Sequence, residues 1–310
     1  MQELASSLIF SPSDLNHFVE CEHLTSLDLL AAAGQVIAKE QDPQAMLVRA
    51  KGIEHERAWL ARLHDSGQSI ITIAGEGHVD WTRDAARTEQ AMRDGADVIY
   101  QGVFVNEPWR GIADFVVRVA TPSALGPWSY EAWDTKLARH PKPHFILQLC
   151  WYSEQLARVQ GTEPALMHVV LGTNDVVPFA LRDFAAYYRA VRNRFLRMVD
   201  ERRETYPYPV SHCRLCGYTS VCEQRWRHDD HLSLVAGIRR DQVVRLNTVG
   251  VTTVKGLAAF DATTRIGIMP PTLERLARQA DLWRSRGRNA SQSSCAARDC
   301  SIHVAGRSSR

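Results

Sequence analysis

Carboxylates inside predicted β-strands are the feature that most constrains how this chain folds. Residues 109–120 and 129–137 have the pattern of two strands of a hairpin, with Asp114 in the first and Asp134 and Lys136 in the second. Aspartate is depleted in strands, and an ionised carboxylate is costly to bury without a partner. We therefore expect something to neutralise these carboxylates, and a hard divalent cation held by oxygen ligands would do so.

Helical and strand-like segments follow one another along the first two thirds of the chain. From residue 81 onward, the order of a helix, three strands, a helix, a strand and a helix predicts a mixed sheet with helices packed on it, in the α/β or α+β class. The predicted helices cover residues 43–63, 81–94, 144–160 and 183–204, and the predicted strands cover residues 69–74, 98–105, 109–120, 129–137 and 165–172.

Composition excludes some classes of protein and leaves others open. The chain has 310 residues, of which 45% are hydrophobic, so it can bury a sizeable core. No apolar run approaches the roughly 20 residues of a membrane helix, and no signal-peptide pattern is present, which predicts a cytoplasmic protein without a membrane partner. The net charge of +2 gives no bulk support for nucleic-acid binding, so such binding must depend on local sites.

The C-terminal third differs in character from the rest. We predict a first domain over residues 1–228 and a small helical region over 229–283, in which residues 243–260 form two short helices around a turn at Gly250. Residues 284–310 are rich in serine, arginine and glycine with little apolar pattern, which predicts a disordered basic tail.

Three of the seven cysteines are closely spaced, as Cys213-x2-Cys216-x5-Cys222. Without an export signal, this spacing favours a metal or cluster site over a disulfide framework. Three thiolates are one short of the Cys₄ set of an iron–sulfur cluster or a structural zinc. Cys21 is the natural fourth ligand, while His212 is a competing fourth ligand that would favour zinc.

The two aspartates and the lysine together suit metal-assisted phosphodiester hydrolysis. Lys136 is two residues from Asp134, so both side chains lie on one face of the strand, whereas Glu131 points to the opposite face. A metal held by Asp114 and Asp134 lowers the pKa of a bound water and neutralises phosphate charge. The lysine can orient that water or stabilise the transition state.

Five motifs in order resemble the RecB-like branch of the PD-(D/E)XK nucleases, and more narrowly its iron–sulfur members, such as CRISPR-associated exonucleases and AddB-type nuclease domains. The resemblance covers roughly residues 11–224. The motifs are Gly52-Ile-Glu-His55, Gly111-Ile-Ala-Asp114, Asp134-Thr-Lys136, Gln148-Leu-Cys-Trp-Tyr152, and one cysteine before the core (Cys21) with three after it (Cys213, Cys216 and Cys222).

The resemblance implies a restriction-endonuclease-like fold and a metal-dependent DNA nuclease, most of all an exonuclease on single strands or free ends. It implies that His55, Asp114 and Asp134 bind Mg²⁺ or Mn²⁺, and that Lys136 is catalytic. Gln148 and Tyr152 are expected to contact DNA or shape the site. The four cysteines are expected to hold a [4Fe–4S] cluster. A helicase or recombination protein is considered as a partner.

One departure from the family pattern and one from a helix-hairpin-helix pattern leave alternatives open. The Gly–His spacing is three where many relatives have four, so Glu54 or Glu56 can replace His55 as a ligand. The turn at Gly250 resembles a helix-hairpin-helix that grips DNA backbone, but it lacks the second glycine of many such hairpins. The alternative function is a non-catalytic DNA-binding scaffold that keeps the fold and the cysteine site.

A glycine in the interior of the first long predicted helix is unexpected. Gly52 costs about 1 kcal/mol relative to alanine in such a position. We therefore expect another element to approach the helix closely there.

Overall fold

Six strands form one mixed sheet in the computed structural model, which describes residues 1–4, 7–35, 43–75 and 79–296. The predicted class of a mixed sheet flanked by helices is confirmed. The strands lie in the order β3-β4-β5-β6-β7-β8, and only the β3–β4 and β6–β7 pairs are parallel. Their bounds are β3 (Ile70–Thr72), β4 (Val98–Asn106), β5 (Trp109–Val119), β6 (Ser129–Lys136), β7 (Leu166–Leu171) and β8 (Val176–Ala180), after a small hairpin of β1 (Gln2–Leu4) and β2 (Ser7–Ile9).

Ten helices lie among the described residues. Local signals set several helix ends: Asp80 accepts a hydrogen bond from the Arg83 amide at one start, and Gly161 ends another helix in the left-handed conformation (φ 69°). The helices are α1 (Pro12–Glu20), α2 (Glu22–Ala32), α3 (Pro43–Asp65), α4 (Trp81–Arg93), α5 (Pro143–Gln160), α6 (Leu181–Asp200), α7 (Thr219–His228), α8 (Arg240–Thr248), α9 (Val254–Ala258) and α10 (Pro270–Ala296).

The two faces of the sheet are covered differently. Helices α1 and α5 pack on one face, where Trp151, Leu149 and Phe195 are fully buried in the main core. Helix α3 lies on the other face, where Trp59 packs near Phe115. None of the described side chains of α3 is fully buried, so this helix keeps polar groups available at the sheet.

The chain separates into two compact units. The sheet unit comprises Met1–Tyr206 and Arg214–Gly217, and the helical unit comprises Pro207–Cys213 and the residues from Tyr218 onward. This division falls earlier than the predicted boundary after residue 228, because the Trp226 indole of α7 donates to the Pro207 carbonyl (2.9 Å) and so joins α7 to the helical unit.

Helix α10 extends beyond the predicted helical region. It runs from Pro270 to Ala296, so residues 284–296 of the predicted disordered tail are helical. The remainder of that predicted tail lies outside the described residues. Among the described residues, no helix combines the length and the apolar character needed to cross a bilayer.

Close backbone packing fixes the end of the strand that carries Lys136. The Gly172 amide donates to the Ala138 carbonyl (3.1 Å), and a Cβ added at Gly172 would stand 2.5 Å from the Leu137 carbonyl oxygen. At Gly52, by contrast, an added Cβ would meet no atom within 4 Å among the described residues, so the expectation of a close approach there is wrong.

These two glycines give a matched pair of stability predictions. Gly172→Ala should lower the free energy of unfolding by about 1–3 kcal/mol, because backbone must shift to admit the methyl group. Gly52→Ala should raise it by up to about 1 kcal/mol through helix propensity. Urea unfolding of both variants measures the difference, and a Gly172→Ala protein as stable as wild type would contradict the packing described for this edge.

Candidate functional site

The antiparallel pair β5 and β6 brings the two predicted aspartates together. The ladder pairs Phe115 with Trp133, so Asp114 and Asp134 occupy the adjacent cross-strand position. The Thr135 amide and hydroxyl both donate to Asp114 Oδ2, at 2.8 and 2.9 Å. Asp114 is therefore held by the strand that carries Asp134.

Asp134 is a buried carboxylate with incomplete compensation. Its exposed fraction is 1%, and its Oδ1 atom has no hydrogen-bond partner among the described residues. Its Oδ2 atom lies 2.6 Å from Lys136 Nζ. Burial and the charge of Asp114 raise the pKa of Asp134 to about 7, even though Lys136 opposes the shift. A further cation at this carboxylate would relieve the cost of burying its charge.

Lys136 supplies the positive charge beside Asp134. Burial acts to lower the pKa of its ammonium group, but the charges of Asp134 and Asp114 outweigh burial and raise that pKa. Its side chain is 25% exposed. The lysine is therefore protonated at neutral pH and accessible from the solvent side of the site.

Glu56 on α3 is a third carboxylate of this site. Burial, followed by the charge of Asp114, raises its pKa, while hydrogen bonds from Gln101 and Tyr100 act in the opposite direction. Gln101 Nε2 donates to Glu56 Oε1 at 3.1 Å. Glu56 also lies within the electrostatic influence of Lys136.

The neighbouring residues of α3 point elsewhere. His55 Nε2 lies 3.5 Å from the carbonyl oxygen of Val170, which pairs with Thr135 across the β6–β7 ladder, so His55 is at the border of the site. Glu54 forms an exposed pair with Lys51 (2.6 Å). Of the ligands considered from the sequence, Glu56 lies in the best position, and the shortened Gly–His spacing was the signal that pointed to it.

Gln101 was not identified from the sequence. Its φ of 52° places a non-glycine residue in the left-handed region, and by register it stands opposite Asp114, between the Tyr100–Phe115 and Gly102–Ala113 pairs. Such a conformation costs of order 1 kcal/mol and clusters at functional sites. Gln101 can be identified only from its backbone conformation, and no residue pattern in the sequence predicts that conformation.

Helix α5 contributes the predicted Gln148 and Tyr152. The Tyr152 hydroxyl donates to the Ile112 carbonyl (2.5 Å), and burial with the charges of Asp114 and Asp134 raises its pKa. Gln148 hydrogen-bonds Tyr152 and is half-buried. Tyr152 thus shapes the wall of the site, and Gln148 is the more accessible of the two.

A separate group brings three possible ligand atoms within 4.8 Å of one another, at Asp14, His17 and Asp28. Among the described residues the carboxylates of Glu56, Asp114 and Asp134 do not meet that spacing. Asp14 already accepts from the Ser11 amide (2.7 Å) and pairs with the Met1 ammonium (2.8 Å). The Ser11 contact caps α1, and His17 Nδ1 lies 3.1 Å from Asp28 Oδ2, so each member of the group has a partner within the protein.

The four predicted cluster cysteines are divided between the two units. Cys21 and Cys216 belong to the sheet unit, and Cys213 and Cys222 to the helical unit. Cys213 Sγ accepts a hydrogen bond from the Val210 amide (3.4 Å). Among the described residues, no three of these cysteines bring their sulfur atoms within 4.8 Å of one another, so the cysteine-held centre stays a prediction.

The predicted turn at Gly250 lies between α8 and α9, with φ 80°. Its amide donates to the Asn247 carbonyl (3.1 Å). At the start of α9 the Lys255 amide donates to Asp230 Oδ2 (2.9 Å), and the Gly256 amide donates to Thr253 Oγ1 (3.0 Å). These amides already have acceptors, so the geometry adds no support for backbone binding of DNA here.

No protein-family model matches the chain, and no curated protein matches it. Function is therefore inferred from the side chains of the site.

Proposed function

We propose that this protein is a Mg²⁺- or Mn²⁺-dependent deoxyribonuclease of the RecB-like PD-(D/E)XK type. The observation that carries the proposal is that Asp114 on β5 and Asp134 on β6 occupy adjacent cross-strand positions beside Lys136, with Glu56 of α3 within their electrostatic reach. Surface ion pairs do not account for this group, because Asp134 is buried and its Oδ1 has no hydrogen-bond donor among the described residues.

The donor set suits a hard divalent cation. Asp134, Asp114 and Glu56 offer carboxylate oxygens, which Mg²⁺ and Mn²⁺ prefer. Once bound, such an ion supplies Lewis acidity and a water of lowered pKa. His55 lies at the border of the site, so it is tested beside Glu56 as an alternative ligand of the metal ion.

The remaining side chains have separate tasks. Lys136, protonated at neutral pH, donates to a phosphate oxygen or to the attacking water as negative charge develops. Thr135 fixes Asp114 through two hydrogen bonds. Tyr152, kept neutral by burial, donates to the Ile112 carbonyl and so joins α5 to β5.

The four cysteines are proposed to hold a [4Fe–4S] cluster, with zinc as the alternative metal. Such a centre would contribute folding energy rather than chemistry. We place the protein in the cytoplasm, where cysteines stay reduced. The proposed substrate is DNA with single-stranded regions or free ends, and the proposed partner is a helicase or recombination protein acting in trans.

An anaerobic cleavage assay with matched linear and circular single-stranded DNA tests the function. With Mn²⁺, we expect the linear end-labelled strand to be degraded progressively and the circular strand to persist; EDTA should stop the reaction. Cleavage of the circle at the same rate would replace exonuclease with endonuclease action. Absence of cleavage of either DNA with every divalent ion would contradict a nuclease.

Glu56→Gln should raise the Mn²⁺ concentration for half-maximal cleavage by about 10- to 100-fold, because a carboxylate of the ion site is neutralised. The matched control is Glu54→Gln, which removes only an exposed ion pair and should change nothing. His55→Gln completes the series. A larger increase of this Mn²⁺ concentration in His55→Gln than in Glu56→Gln would favour His55 as the ligand, as the sequence resemblance implies.

A further inference from the structure

A cavity of about 340 Å³ opens beside the proposed catalytic site, in the sheet unit. Its wall includes Trp81, Arg110, Gln148 and Tyr152. None of the described residues that line it is acidic. Its volume is in the range of small-ligand sites.

Arg110 is the one positively charged side chain among the described residues that line this cavity. Its guanidinium carbon lies 4.4 Å from the centre of the Trp81 ring, and its terminal nitrogen donates to the Gln2 side-chain oxygen. Burial lowers its pKa, and no carboxylate lies within ion-pair distance of it among the described residues. Arginine stays charged in proteins, so a half-buried guanidinium without a counter-ion favours an anion in the cavity.

The cavity borders the carboxylate site. Tyr152 lines it, and the charges of Asp114 and Asp134 raise the pKa of the same tyrosine. Arg110 precedes Asp114 by four residues on β5, which separates their Cα atoms by roughly 13 Å. A short stretch of a nucleic-acid strand spans that distance.

We propose that this cavity binds a phosphate of the DNA strand at a distance from the scissile bond, with Arg110 as the anion-binding residue. The inference rests on the proposed nuclease function. Trp81 packs against the guanidinium, and the Gln148 amide offers hydrogen bonds to the same nucleotide. The phosphate is either internal or terminal, since both present the same oxygens to arginine.

The test measures binding instead of cleavage. Fluorescence anisotropy of a labelled single-stranded oligonucleotide, in EDTA and over a range of salt concentrations, gives the affinity and its salt slope. Arg110→Gln should weaken binding about fivefold near 0.1 M salt and reduce the slope of log K against log salt by about 0.7, the loss of one single-strand phosphate contact. Arg110→Lys should keep the slope. Arg182→Gln, a change at an 89% exposed side chain, is the matched control.

Three oligonucleotides locate the phosphate: one with a 5′-phosphate, one without, and a circle. Loss of affinity for all three in Arg110→Gln assigns an internal phosphate, and loss only for the first assigns a terminal one. An Arg110→Gln protein with the affinity and slope of Arg182→Gln overturns the proposal. Gln148→Glu adds a negative charge to the cavity and should also weaken DNA binding. Unchanged affinity in that variant would contradict the phosphate site.

The binding result is independent of catalysis. Arg110-dependent binding in a wild-type protein that cleaves nothing would keep the phosphate site and remove the nuclease. Metal-dependent cleavage, together with binding that is unchanged in Arg110→Gln, would support the nuclease and remove the phosphate site.

Discussion

Lys136→Met is expected to lower the rate of single-turnover DNA cleavage by roughly 100- to 1,000-fold while Mn²⁺ still binds. The rate falls because the protonated amine no longer stabilises developing charge, a contribution of that size for one preorganised donor. Metal binding persists because the carboxylates of Glu56, Asp114 and Asp134 remain. Rapid-quench kinetics at saturating enzyme measure the cleavage rate, and titration calorimetry measures the affinity for Mn²⁺.

The same variant should be unstable without metal. Removing Lys136 leaves the buried Asp134 carboxylate without its 2.6 Å partner, which destabilises a protein by about 3 kcal/mol. Mn²⁺ should restore much of the loss. Lys51→Met, at an exposed side chain on α3, is the control and should retain both rate and stability. A Lys136→Met protein within tenfold of the wild-type rate would remove the lysine from the mechanism.

Cys216→Ser and Cys222→Ser are expected to remove the metal centre and lower the melting temperature by on the order of 10 °C. The free energy of binding a cysteine-held centre adds to the free energy of unfolding. Each kcal/mol lost from the free energy of unfolding lowers the melting temperature of a chain this size by about a few degrees. Iron, sulfide and zinc analysis of anaerobically purified protein measures the centre, and visible absorbance separates a cluster from zinc.

Cys150 provides the matched control. It is buried in α5, 4.0 Å from Met167 Sδ, and packs as a small apolar side chain. Cys150→Ala should retain the full metal content with a modest loss of stability. Equal metal content and melting temperature in Cys216→Ser and wild type would contradict the centre itself.

The strands around the site could be predicted closely from the sequence. Residues 129–137 were predicted and Ser129–Lys136 is observed, because the segment is bounded by turn residues and rich in residues that suit a pleated surface. Strand β8 was not predicted. It contains Pro178, which argues against a strand in sequence but is tolerated here because β8 is the last strand of the sheet.

Some residues of the site could be predicted from sequence patterns, and others could not. Asp114, Asp134 and Lys136 were predicted to meet from the spacing of two strands, and they do. Glu56 was only one of several candidates, since the direction of a residue on a half-exposed helix depends on how that helix docks. Gln101 depends on a backbone angle, and Arg110 on the approach of Trp81 from a distant helix.

The central claim is that the buried Asp134 takes part in metal-dependent DNA cleavage. Its most direct test is an anaerobic assay with Mn²⁺ on end-labelled single-stranded DNA, with wild type beside Asp134→Asn. Cleavage by wild type alone, with the variant folded, is the predicted result. Equal cleavage by both proteins, or none by wild type with its cysteine centre intact, would contradict the claim.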